Sequence, residues 1–363
     1  MVLARALYNG LQDALNKFPQ ILSKLAEGKA KSVQKANQTL GSSGGELVKS
    51  AVLTAPVQDD SLKPILQISE VPELIELKDY ENSYSLSNQN GSYTNLQNFS
   101  RLTNAIPEFT EYYWASSLSL DQLYKTLVQN AAASPDAGAV ASVISDARQA
   151  FEKAAISSMD GSGISWHPCY ADPDNWYSSD ATLLDLDIDF TNEETMKDKG
   201  FAFIGGGSEA VPTSLNVQTA AAKNFYTIGN KHIKIKYQIV HIQRPWLDTQ
   251  IFSLSNWSVP GFPVAYYSSG SLEGNMGKMA LIPTAFILIH QVVMSGEMKD
   301  EEQCALEEGI NASANVSLGP IQISSGSDSS SLKTTVKDGV VEVNGHQILG
   351  WISEFVPLSP QLA

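Results

Sequence analysis

The residues best placed to do chemistry are three aspartates, Asp185, Asp187 and Asp189, in the run Asp-Leu-Asp-Ile-Asp. Alternate side chains of a strand share a face, which puts the three carboxylates in a row about 7 Å apart. Such a row repels itself and raises its own pKa values unless cations relieve it. Hard cations suit clustered carboxylates, with water completing the shell. The row is therefore a candidate calcium or magnesium site and the candidate centre of a metal-dependent hydrolase; no other cofactor is expected. Asp172, Asp174 and Asp180 lie just upstream. The spacing lacks the glycine turn and distal glutamate of an EF-hand loop. The competing reading is a plain strand, with Leu186 and Ile188 packed inward and the acids left in water, where they discourage edge pairing.

A second cluster is aromatic: Trp166, His167, Cys169, Tyr170, Trp176 and Tyr177 within one turn-rich stretch. Its functional reading is a reactive His167–Cys169 pair or an aromatic binding platform. Pro168 between the two disturbs any regular strand that would align them, which favours a rigid loop plugging the junction between helices and strands. Gly205-Gly206-Gly207-Ser208 follows an apolar run in the manner of a phosphate cradle, but no Lys-Ser/Thr comes after it. The five histidines are scattered without an HExxH or HxH arrangement, and no GxSxG marks a nucleophile. Arg244 and Asp248 bracket Trp246 as a corner held by an ion pair and a buried indole.

A third signal concerns surfaces. Residues 311–323 alternate small apolar and polar side chains, with Val316, Leu318, Ile321 and Ile323 on the apolar side, and a Ser/Gly loop over 324–331 leads to 332–336. Ser/Thr-rich amphipathic hairpins of this kind can insert as barrel strands when chains assemble, and they also describe an ordinary sheet hairpin. Residues 1–56 carry seven basic and three acidic groups in a chain of net charge −15. Such a segment could touch an anionic membrane surface or dock on its own acidic body. The overall negative charge excludes generic nucleic-acid binding.

These groups must be positioned by two kinds of element. Before residue 160 the periodicity is helical. Leu7, Leu11, Leu15, Phe18, Leu22 and Leu25 form one stripe, which Pro19 interrupts. Ser119 with Gln122 signals a capping box, and Ser134-Pro135-Asp136 a second helix start. Val140, Val143, Ile144, Ala147 and Phe151 give that helix its apolar face. Residues 56–104 read as a long polar connection with short extended pieces. After residue 160 the period becomes two. Strands are expected over 231–243, 281–293 and 339–355, the last as a hairpin turning at Asn344-Gly345. The fold class expected is α+β: a helical region over 1–160, then an antiparallel β-sandwich over 161–363.

Cys169 and Cys304 make no disulfide framework. No secretory signal is apparent at the N-terminus, and the longest apolar run, residues 279–289, is about half of what a spanning helix needs. The protein is expected to be made soluble in the cytoplasm, with any export following a route other than a signal peptide. The function expected is non-enzymatic: a protein that self-associates into a homo-oligomer or binds a surface, with pore-former-like membrane activity as one form of it. The alternatives are the hydrolase and a purely structural assembly subunit.

Overall fold

The computed structural model describes residues 7–11, 14, 65–105, 118–157, 165–189, 202–204, 214–218, 223–227, 231–271, 275–296, 300–312, 314–318, 320–325 and 332–362. In chain order the strands are β1 (Ile65–Leu74), β2 (Ala132–Ala133), β3 (Ile156–Ser157), β4 (Ser165–Trp166), β5 (Tyr170–Asp172), β6 (Leu184–Asp189), β7 (Ala202–Ile204), β8 (Ser214–Gln218), β9 (Lys223–Thr227), β10 (Lys231–Gln243), β11 (Trp257–Ser258), β12 (Leu281–Gly296), β13 (Asn315–Leu318), β14 (Ile321–Ser324), β15 (Lys333–Lys337) and β16 (Val340–Phe355). The helices are α1 (Tyr93–Asn104), α2 (Leu120–Asn130), α3 (Gly138–Lys153) and α4 (Asp300–Asn311).

One large, mostly antiparallel sheet dominates, in the order β5-β10-β12-β16-β1-β7, with β6 also on β10 and β15 also on β16. Its axis is β10, β12 and β16, and strand alternation makes these three serve two cores. In β12, Ala285, Ile287 and Ile289 enter one apolar cluster while Ile282, Phe286 and Leu288 enter another. In β10, Ile233, Ile235, Tyr237 and Ile239 belong to the first and Val240 and Ile242 to the second. Alternate residues point to opposite faces, so the two cores lie on opposite sides of the sheet. This is why β12 is apolar on both faces over residues 285–289.

The first core is shared with a four-stranded sheet, β14-β13-β8-β9. Leu306 of α4 adds to it, as do Leu7, Tyr8 and Leu11 from a helical segment at residues 7–11. A Cβ on Gly10 would sit 3.0 Å from Cδ1 of Leu186, so this segment rests directly on β6. The part of the basic N-terminal stripe within the described residues thus docks on the chain's own body; Leu15, Phe18, Leu22 and Leu25 lie outside them. The second core is built from the apolar faces of α1, α2 and α3 and from the loops around Trp176, Trp246 and Trp257.

The α+β class holds, as helices combined with many antiparallel strands in a large sheet. Other expectations need correction. Elements from both sides of residue 160 pack together: β1 pairs with β16 from Ile65↔Ser353 onward, and α2 and α3 share their core with β12. The connection over 56–104 holds both β1 and α1. α2 starts as read, with the Ser119 N–H donating to Oε1 of Gln122 at 3.1 Å. α3 starts at Gly138 with no side-chain cap; the Ser134 carbonyl instead accepts from the Ala137 N–H in a turn, and the Ser134 N–H donates to the Asn256 carbonyl.

The last hairpin turns at Asp338-Gly339, not at Asn344-Gly345. Asp338 and Gly339 have φ of 50° and 74°, the positive values that a type I′ turn requires, and Lys337 pairs with Val340 across them. Asn344-Gly345 lies inside β16, where it interrupts the register instead of reversing the chain.

Gly350 is the tightest point of the sheet. A Cβ there would lie 2.2 Å from the Gln67 carbonyl oxygen, on the backbone of the paired strand β1. Gly350→Ala should therefore pry β1 from β16 and cost about 3 kcal/mol of stability in urea unfolding.

Candidate functional site

The aspartate row lies where alternation puts it. Leu186 and Ile188 enter the first core, so Asp185, Asp187 and Asp189 project from the opposite face, where all three are exposed. Antiparallel pairing sets Asp189 across from His232, Asp187 across from Lys234 and Asp185 across from Lys236. Nε2 of His232 is 2.5 Å from Oδ1 of Asp187, and Nζ of Lys234 is 4.0 Å from its Oδ2. The neighbouring strand thus sets a histidine and two lysines opposite the row. Among the described residues no group of three or more His, Cys, Asp or Glu is gathered as a metal centre.

The same face continues across the sheet. On it β12 presents Gln291, Val293 and Ser295; β16 presents Glu342 and Asn344; and β15 presents the exposed Lys333, Thr335 and Lys337. Gln291 Nε2 donates to Glu342 Oε1 at 2.8 Å and to Asn344 Oδ1 at 3.1 Å, and Asn344 Nδ2 donates to Glu342 Oε1 at 2.9 Å.

This open half meets the helix-covered half along a crease. The register shifts at Lys236/Tyr237 between β10 and β12, and at Ile289/Gln291 between β12 and β16. His290 occupies the bulge in β12, and His346 follows Gly345 in β16, whose φ is 146°. The two imidazoles meet edge to face, with ring centroids 4.7 Å apart and planes at 81°. Nε2 of His290 and Oε1 of Gln238 are both buried without a hydrogen-bond partner. Burial, and then the neighbouring His346, push the His290 pKa down to about 4. Burial also lowers His346, against an opposing pull from Glu76.

No protein-family model, curated protein or solved structure matches this chain. The site therefore rests on its own geometry.

The aromatic loop is a plug in the second core. Trp176 is 2% exposed and packs on Tyr80, Phe99 and Phe286 with centroids 5.7–5.8 Å away. His167 stacks on Phe151 at 3.6 Å, and its Nε2 lies 3.1 Å from the Phe151 carbonyl oxygen. Cys169 is fully buried and its thiol donates to Oδ1 of Asn104 at 3.1 Å. The structure does not join His167 to Cys169, and burial raises the thiol's pKa. Tyr170 and Tyr177 are half-buried, as is Trp166, which pairs through its backbone with Ile156.

Arg244 does not pair with Asp248. Its guanidinium is buried, and it donates to the Thr103 carbonyl, the Pro283 carbonyl and Oδ1 of Asn104. A cation here meets the negative end of the α1 dipole and satisfies carbonyls that the helix leaves open. Asp248 instead accepts from the Gln250 N–H at 2.9 Å. The buried indole of Trp246 is present as read, donating to the Pro168 carbonyl at 2.9 Å.

Val316, Leu318, Ile321 and Ile323 are buried in the first core. Their apolar faces are occupied, and they could meet lipid only if the four-stranded sheet left the large one. No described helix is long and apolar enough to cross a membrane. The glycine run at 205–208 lies outside the described residues.

Two outcomes follow from these contacts. Arg244→Lys should cost about 3 kcal/mol in urea unfolding, since one ammonium group cannot reach three separated acceptors and leaves buried carbonyls unpaired. The histidine pair should make stability depend on pH. An unfolded histidine titrates near 6.5, whereas folded His290 titrates at about 4. Between those values the unfolded chain binds a proton that the folded chain refuses, so stability is full above about pH 6.5 and falls toward pH 4. Urea midpoints measured down this range should decline less steeply for His290→Gln than for the unsubstituted protein.

Proposed function

We propose that this is a non-enzymatic protein that self-associates through the open, charged face of its large sheet, the large and four-stranded sheets acting as the two leaves of a sandwich. The observation that carries this reading is the order of charge across the strands. From edge to edge the face runs acidic (Asp185, Asp187 and Asp189 of β6), basic (His232, Lys234 and Lys236 of β10), neutral (Gln291, Val293 and Ser295 of β12), acidic (Glu342 of β16) and basic (Lys333 and Lys337 of β15). That order is antisymmetric about β12. A second copy laid face to face, with a two-fold axis along β12, sets β6 against β15 and β10 against β16. Every acidic column then meets a basic one, as an isologous interface requires.

The opposite arrangement, edge to edge, is disfavoured. The flanking strands β6 and β15 carry dense charge and are short, which blunts strand addition. Five strands about 4.8 Å apart and roughly 17–20 Å long give a footprint of about 400–500 Å² per copy. This is below the range of stable specific interfaces and in that of transient ones, so the association should be weak, reversible and strongly salt-dependent.

Sedimentation velocity tests the reading. The sedimentation coefficient should rise with protein concentration at low salt and stop rising at high salt. A variant with Asp185→Lys and Asp187→Lys should stay monomeric, as should one with Lys333→Glu and Lys337→Glu, with circular dichroism confirming the fold of each. Mixed, the two should associate again, because each reversed column then meets its complement. A protein that is monomeric under all conditions, or a mixture that does not associate, overturns the proposal.

A further inference from the structure

We propose that His290 and His346 form a binding site for a late first-row divalent metal ion, Cu2+ above all, held by the two imidazoles. The geometry of the pair carries this. A ring nitrogen lies about 1.1 Å from its ring centre and binds such a metal at about 2.0–2.1 Å, which puts each ring centre about 3.2 Å from a shared ion. Two imidazoles bound side by side, at 90–109°, would then have centres about 4.5–5.2 Å apart. The observed separation is 4.7 Å.

The surroundings agree with this use. His290 Nε2 is buried without a hydrogen-bond partner among the described residues, a condition that costs stability unless something else meets the atom. Gln238, 3% exposed, has a second orphan atom, Oε1. It sits on β10 opposite Leu288, two positions before His290, on the same face. A carboxamide oxygen there suits a water bound to the ion. Glu76 follows β1 beside His346, where the Ile75 N–H donates to the His346 carbonyl at 2.9 Å, and it brings negative charge to the site.

Nitrogen donors and a nearly preformed two-ligand geometry favour copper over the hard cations. No glycine-to-helix motif or HxH spacing is needed. The bulges at His290 and Gly345 bring the pair together across β12 and β16.

The test is isothermal titration of Cu2+, with Zn2+ and Ca2+ for comparison, into tag-free protein carrying Cys304→Ser. That change removes an exposed thiol that would itself bind copper. One equivalent of Cu2+ should bind at micromolar or tighter Kd, more tightly than Zn2+, with no heat from Ca2+. His290→Gln and His346→Gln should each weaken binding at least 10-fold, while His232→Gln leaves it unchanged. Electron paramagnetic resonance of the 1:1 complex should report two imidazole nitrogens, falling to one in either variant. Should His290→Gln fail to fold, His346→Gln and the spectrum of the parent protein decide the matter. No stoichiometric Cu2+ binding, or binding that survives both substitutions, overturns the assignment, and neither result bears on self-association.

Discussion

The structure depends on the double use of three long strands. Because alternate side chains of β10, β12 and β16 face opposite ways, one set of hydrogen-bonded strands supplies the floor of two separate cores. Each apolar position is therefore constrained by its neighbours along the strand as well as across it: a one-residue slip would exchange the contents of the two cores. The bulges at the middle of the sheet are the places where this constraint relaxes. There the chain admits polar groups, His290, His346 and Gln238, that neither core could take. The helical layer also stops there, so the sheet passes from two covered faces to one.

Much of this was legible in the sequence, for identifiable reasons. β10 and β12 stand out because alternation in the first half of the one, and apolarity on both faces of the first half of the other, are direct records of one covered face and two. The buried face of α3, from Val140 to Phe151, followed from its period. What escaped depended on partners far away in the chain. Closeness in sequence points Arg244 to Asp248, yet a buried guanidinium takes whatever acceptors its pocket offers, here the end of a helix more than a hundred residues earlier. Asn344-Gly345 carried a strong turn signal, but Asp338-Gly339 closes the hairpin, which leaves the later pair to bend a strand that was already committed to both neighbours.

The candidate sites divide the same way. The common face of Asp185, Asp187 and Asp189 is a local property of one strand and was readable. That each has a basic group across from it is a property of register, which one strand cannot disclose. The histidine pair is further from view, since it needs two strands and a bulge in each. Scattered histidines in a sequence are silent until pairing is known, whereas an aspartate triplet is conspicuous from the sequence alone.

The pairing of β1 with β16 has a consequence for how the protein comes to be. Gln67 and Ser353, whose side chains hydrogen-bond within the sheet, are 286 positions apart. As the chain leaves the ribosome, β1 waits for its antiparallel neighbour until almost all the other described elements have been made, and β12 waits with it for the strand that joins them. Loops of that size must close before their contacts reward them, which makes assembly slow. Through that interval the apolar residues of β12 lack their final cover. A helical layer formed early against the half-built sheet would shield it until the last long strand arrives.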